Sequence, residues 1–302
     1  MRIPTLPAGA VSFLLIALGL MTPLLPGTAS AQEIRIGIDY SPYREGLQPS
    51  GPCPTQKEIE QDLDLLARTP GLAPIIRTYG ILDCDLSRIC AAARKAGLRV
   101  VLGAWLDRDR FRNFSEVETL IQVANRNRDV VLAVVVGNDV LARGDLGVTE
   151  LVSHLARVRS KVSVPVTTGD SWIALETHAA ALRPHIDFVF PNVHPYREGV
   201  CASSAAEFVI DKSRTLAAAF PGRRVVIGET GWPTRGETLG CAIPSEANQA
   251  IFLADLARRA SADKLHFFLF EAFDQAWKMR ESGIEAEGYF GLYDAKRKFK
   301  HQ

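Results

Sequence analysis

The chain has 302 residues and carries 35 Lys and Arg against 34 Asp and Glu, a net charge of +1. The length fits one large domain or two small ones, and the even charge balance argues against a nucleic-acid partner. The basic cluster Lys296, Arg297, Lys298 and Lys300 reads as a solvated tail.

Residues 1–31 stand apart from the rest. Arg2 precedes the apolar run "VSFLLIALGL" (11–20), Pro23 and Pro26 follow, and "ASA" (29–31) is a small-residue cleavage site. This is the pattern of a secretory signal peptide, with a mature chain starting near Gln32 and a periplasmic or secreted location. The alternative is an uncleaved membrane anchor, for which the apolar run is short. After cleavage no membrane association is expected.

From there strand-like and helix-like segments alternate. The strand candidates are "IRIGIDY" (34–40), "PIIRTYG" (74–80), "LRVVLGAWL" (98–106), "VVLAVVVGND" (130–139), "VPVTTGDSW" (164–172), "DFVFPNVHPY" (187–196), "RRVVIGETGW" (223–232) and "KLHFFLFEAFD" (264–274). These runs are apolar without alternation, as strands buried on both faces of a parallel sheet must be. Between them, Thr55 and Glu58 cap a helix whose Ile59, Leu63 and Leu66 share a face. Residues 87–96 form the next helix. Ser115 and Glu118 then predict a capping box that starts the following one. Its Leu120, Val123 and Ala124 turn inward. "VTELVSHLARVRS" places Leu151, Leu155 and Val158 on one face. Ser204 with Glu207 predicts the start of a helix ending near Phe220, and residues 245–260 form the longest one. Eight strands with intervening helices predict a single (β/α)8 barrel over residues 32–302. The alternative, an open doubly wound sheet, lacks a Gly-rich loop after the first strand. The last segment, "GYFGLYDAKRKFK", reads as an irregular return across the barrel.

In such a barrel the active site gathers where strands end, and the strand ends here are polar: Asp39, Arg77, Asn138 and Asp139, Asp170, His194, Glu229, Glu271 and Asp274. Glu229 ends the seventh strand and Asp139 the fourth. Opposed carboxyls among aromatics are what glycoside cleavage uses, one as proton donor and the other as nucleophile or charge stabiliser. His266, inside an apolar strand, reads as a satisfied core histidine. No His, Asp, Glu or Cys spacing suits a metal, and no cofactor is expected.

The stretch "VVIGETGWPTRG" (225–236) resembles the signature of glycoside hydrolase family 17, the β-1,3-glucanases and β-1,3-glucanosyltransferases. The likeness runs over essentially the whole mature chain, through "GIDYSPYREGLQP" (37–49), "IIRTYG" (75–80), "GAWL" (103–106), "VVVGNDVLARGDL" (134–146), "FPNVHPY" (190–196) and "FEAFDQAWK" (270–278). It implies a retaining (β/α)8 enzyme acting on β-1,3-glucan, with Glu229 as nucleophile, Asp139 as acid/base and Asn138 binding the 2-hydroxyl at the reacting subsite. By the same resemblance Tyr40, Arg77, Tyr79, Tyr196 and Trp232 shape the glycone side, and Glu271 and Lys278 match polar groups near the eighth strand. Trp232 is expected to present an apolar wall to sugar. The chain is expected to work as a monomer.

One departure matters. The family pattern at 138–139 is Asn-Glu, and this chain has Asn-Asp. The lost methylene withdraws the carboxyl by roughly 1.2–1.5 Å. Retaining enzymes hold their carboxyls about 5–5.5 Å apart, and misplacement of about 1 Å costs on the order of a hundredfold. Either the backbone sits closer, or the enzyme is slow, or the protein binds β-1,3-glucan without cleaving it. Asp also starts from a slightly lower pKa than Glu, which predicts a more acidic optimum than in an Asn-Glu relative. Finally, the barrel topology puts Cys53 beside Cys84, in the loops after strands one and two, and Cys201 beside Cys241, after strands six and seven. Those pairs are the expected disulfides, with Cys90 a buried helix thiol.

Overall fold

The computed structural model describes residues 35–49 and 51–301. The expected leader, residues 1–31, lies outside them. In chain order the elements are β1 (Ile36–Asp39), α1 (Gln56–Ala67), β2 (Ile75–Arg77), α2 (Ile89–Ala96), β3 (Arg99–Ala104), α3 (Arg110–Arg126), β4 (Val131–Asn138), α4 (Val148–Arg159), β5 (Val166–Ser171), α5 (Trp172–Thr177), α6 (Ala179–Leu182), β6 (Phe188–Asn192), α7 (Ala202–Ala219), β7 (Arg224–Thr230), α8 (Glu246–Asp263), β8 (His266–Leu269) and α9 (Ala276–Ser282). The eight strands pair in sequence order, all parallel, and β8 returns to β1 to close the barrel. This is the expected (β/α)8 architecture, with shorter strands than the apolar runs suggested.

The core has two layers. Ile75, Val101, Ala133, Val135, Phe190 and Phe268 fill the barrel interior. A larger shell between strands and helices holds Ile59, Leu63, Leu120, Leu151, Leu155 and Phe252, among others. Phe190 and Phe268 meet edge to face at 5.5 Å. Truncating either to Ala would cost about 3–5 kcal/mol, because a lumen walled by backbone cannot collapse around the void.

Local signals held in some places and were overruled in others. Thr55 and Glu58 make the expected capping box at α1. The box expected at Ser115 does not form: α3 begins at Arg110 under an Asp109 cap, and the Ser115 hydroxyl, mid-helix, donates to the Phe111 carbonyl. Asp109 wins because its carboxylate accepts from the backbone N–H of both Phe111 and Arg112. Likewise α7 starts at Ala202 with Cys201 as its cap residue, so Ser204 lies inside the helix. The helix expected over residues 245–260 is α8, capped by Ser245, but it is not the longest: it equals α7 in length at 18 residues. His266 sits in β8 with Nδ1 accepting from the Arg35 N–H, a core histidine as expected.

Both disulfides join the expected loops, Cys53 to Cys84 and Cys201 to Cys241, with Cα separations of 5.3 and 4.7 Å, and Cys90 is buried and free. The basic cluster near the C-terminus is not a solvated tail. Lys300 is buried against Asp274 at 2.6 Å, and Arg297 reaches Asp62 at 2.7 Å. The return segment presses these cations onto carboxylates that the barrel had buried, which fixes it in place.

Candidate active site

A cleft of about 620 Å³ opens where the strands end, and both Asp139 and Glu229 line it. Adjacent residues of a regular strand face opposite sides, yet Asn138 and Asp139 both reach this cleft. The backbone explains how. The β4–β5 register shifts between Val135 and Asn138, and Gly137 and Asp139 adopt φ of 79° and 51°. Such a bulge re-aims side chains at a barrel rim, and Asp tolerates the left-handed region better than most residues. The register also shifts before Asn192 on β6 and around Glu229 on β7.

The two carboxyls sit in opposite electrostatic settings. Burial acting alone would raise the Glu229 pKa. The Arg77 guanidinium at 2.6 Å, with His194 Nε2 at 3.1 Å on the other oxygen, overrides that and holds it well below the usual carboxylate range. Asp139 is pushed up to about 7 by burial, reinforced by the charges of Glu229 and Asp170. Burial thus outweighs the lower starting value of an aspartate.

A chain of amides connects them. Arg77 Nη2 donates to Asn138 Oδ1, which also accepts from Asn192 Nδ2 at 3.0 Å. Asn192 donates to one Asp139 oxygen at 2.9 Å, and Asn138 Nδ2 to the other at 3.0 Å. Gly169 leaves room for this: a Cβ there would lie 2.9 Å from Asn138 Oδ1 and 3.0 Å from Arg77 Nη2. Asp170 is structural. It accepts from the N–H groups of Leu141, Ala142 and Ser171 and so fixes the turn that carries Asp139.

The cleft walls are aromatic and charged. Tyr43 and Trp277 meet edge to face at 6.3 Å on one side, and Trp105 lies under the Arg143 guanidinium. Arg197, in the loop after β6, makes a two-pronged bridge to Glu287 at 2.9 and 2.7 Å. Lys278 lines the cleft and holds Glu271 at 2.6 Å. Glu271 is pushed up to about 7, chiefly by burial.

Several expected site residues are placed elsewhere. Trp232 is fully buried, donates to the Ile243 carbonyl and packs on Phe252 and Tyr196, so it presents no wall to sugar. Tyr196 turns its hydroxyl to the Glu237 carbonyl, away from the cleft. Both anchor the loops after β6 and β7. Tyr40 touches the cleft but donates to Asp62 behind it. Arg77 and Glu271 are buried supports, whereas Tyr79, Asn138 and Lys278 line the cleft. Missed by the site expectations were Asn192, Arg197, Tyr43 and Trp277, along with the His194 contact to Glu229. The "FPNVHPYR" stretch at the end of β6 held three of these. Among the described residues, no group of three or more His, Cys, Asp and Glu side chains is arranged to hold a metal ion.

A family model described as the BtgE/BtgC glycoside hydrolase domain matches residues 37–291. A glucan 1,3-beta-glucosidase of Arthroderma benhamiae is 32% identical over 269 residues, which cover 84% of this chain and 86% of that protein. A probable beta-glucosidase btgE of Aspergillus fumigatus is 28% identical across 89% of this chain but only 46% of its own length, so the chain spans about half of such relatives. Among solved structures, an active-site mutant of Rhizomucor miehei beta-1,3-glucanosyltransferase in complex with laminaritriose superposes with a TM-score of 0.77. It is 26% identical, over 88% of this chain and 95% of that one.

Proposed function

The chain belongs to glycoside hydrolase family 17, and from that membership we propose that it is a retaining enzyme that cleaves or transfers β-1,3-glucan through a glycosyl ester of Glu229. The observation that carries this reading is the opposite bias of the two carboxyls. Glu229 is held ionised by Arg77 and His194, as a nucleophile must be, while Asp139 keeps its proton to about 7, as a general acid must. Attack by a Glu229 oxygen on the anomeric carbon breaks the glycosidic bond as the Asp139 proton passes to the leaving oxygen. The Asp139 carboxylate then takes a proton from the incoming water or sugar hydroxyl. Asn138 has one Nδ2 hydrogen left after bonding Asp139, which suits the sugar 2-hydroxyl. A glucan-binding protein without catalysis would not require this divergence.

Residues 1–31 are proposed to leave as a secretory leader, with 32–302 acting as a monomeric catalytic domain in the periplasm or outside the cell. Two disulfides fit that oxidising setting. The test is incubation with a linear β-1,3-gluco-oligosaccharide of one length. Products both shorter and longer identify a transferase, and only shorter ones a hydrolase. An unchanged substrate that is nonetheless bound refutes cleavage.

A further inference from the structure

Two buried carboxyls lie beside Glu229 without a part in the chemistry above. Glu271 has partners, Lys278 at 2.6 Å and Gln275 at 2.9 Å. Asp39 differs. It is fully buried at the end of β1, and among the described residues neither of its carboxyl oxygens has a hydrogen-bond partner. It stands in register with Arg77 on β2. Its Oδ1 lies 3.5 Å from Arg77 Nη1, the nitrogen that also holds Glu229 at 2.6 Å. One guanidinium nitrogen therefore faces two carboxyls.

That arrangement has a consequence when Glu229 reacts. In the free protein Glu229 neutralises Arg77. Burial, opposed by Arg77 and reinforced by Glu229, raises Asp39 well above the usual carboxylate range, so Asp39 keeps its proton. Once Glu229 becomes a neutral ester, Arg77 is a buried cation that has lost its counter-ion, a costly state. We propose that Asp39 is a positioning residue that takes over as the counter-ion of Arg77 while Glu229 carries the sugar. As the ester bond forms and the glycosidic bond breaks, Asp39 yields its proton to water. It regains one when the ester is resolved and Glu229 is ionised again. The other ionisable groups facing Asp39 are Glu229 from β7, Glu271 from β8, Lys278 from α9 and Tyr79 beyond β2.

This rests on Glu229 as nucleophile, so the experiment reads both. The probe is a dinitrophenyl β-laminaribioside whose 2-hydroxyl at the reacting sugar is replaced by fluorine. It traps the glycosyl-enzyme, and its leaving group needs no proton, so Asp139 drops out of the rate. Trapping is timed between about pH 4 and about pH 9, a span covering raised carboxyls, and the labelled residue is found by peptide mass spectrometry. The expected wild-type rate rises with pH as Asp39 ionises. Asp39→Asn still labels Glu229, but its profile is flat and about tenfold slower at the upper end, the rate equivalent of one pKa unit. Should Asn not fold at this site, Asp39→Thr carries the same expectation. Label on Glu229 with superimposable profiles overturns the counter-ion role alone, and a flat wild-type profile does so without any variant. Label on another residue overturns the nucleophile assignment and this inference with it.

Discussion

The ends of β4 and β7 present the same functional group under opposite management. At β7 a buried carboxylate is surrounded by donors, Arg77 and His194, and is kept ionised. At β4 a carboxyl is touched only by neutral amides, Asn138 and Asn192, and faces other negative charges. Burial affects both, and what differs is whether a cation bonds the carboxyl directly, since Arg197 acts on Asp139 only at a distance. The comparison teaches that a barrel rim fixes the setting of a carboxyl through strands that are not its neighbours: β2 supplies Arg77 to Glu229 across the β8–β1 seam, and no strand supplies a cation in direct contact with Asp139.

Removing the favoured carboxylate breaks the comparison most completely. Glu229→Gln should lower turnover of β-1,3-gluco-oligosaccharide on the order of 10⁴-fold or more, measured by product release. Asp139→Asn should lower it about 10²- to 10⁴-fold and recover on an aryl glycoside with a good leaving group, which needs no proton. Wild-type activity should fall as pH rises through about 7, where the Asp139 proton is lost. Cutting the cation tests the other half. Arg77→Met strands Glu229 and should destabilise the fold by about 3–5 kcal/mol, read by denaturant unfolding.

The stability signs sharpen the contrast. Glu229, with its folded pKa depressed, contributes stability above the usual carboxylate range that is lost on acidification. Asp139, with its folded pKa raised, withdraws stability as pH climbs from about 4 towards about 7. Asp139→Asn should therefore melt higher than wild type at alkaline pH, by roughly a few degrees, and match it in acid. The disulfides act outside this electrostatic pair. Cys241→Ser opens a bridge of sequence separation 40 and should cost about 2–4 kcal/mol by thermal melting, with little change in the pH profile.

Much of this was legible beforehand because strand burial writes itself into composition. Apolar runs such as "VVLAVVVGND" found all eight strands, and the position of Glu229 and Asp139 at the ends of two of them pointed to the cleft that both line. What could not be read depends on closure and on bulges. Trp232 looks like a cleft residue next to Glu229, but the turn sends it outward onto Phe252. Ser115 has the right spacing for a cap, yet a better acceptor at Asp109 started α3 earlier. Lys300 and Arg297 look solvated until the carboxylates of Asp274 and Asp62, remote in sequence, come within reach. Asp39 reads as an ordinary strand end, and only its register with Arg77 gives it a partner.

The bond between Arg77 and Glu229 joins residues 152 positions apart, across the seam where β8 meets β1. No half of the chain contains both ends of it. During refolding, helix content and even most strand pairing would return before that seam shuts. Recovered catalysis would then time the final closing of the ring, serving as an internal clock for barrel completion that spectroscopic signals from the helices would run ahead of.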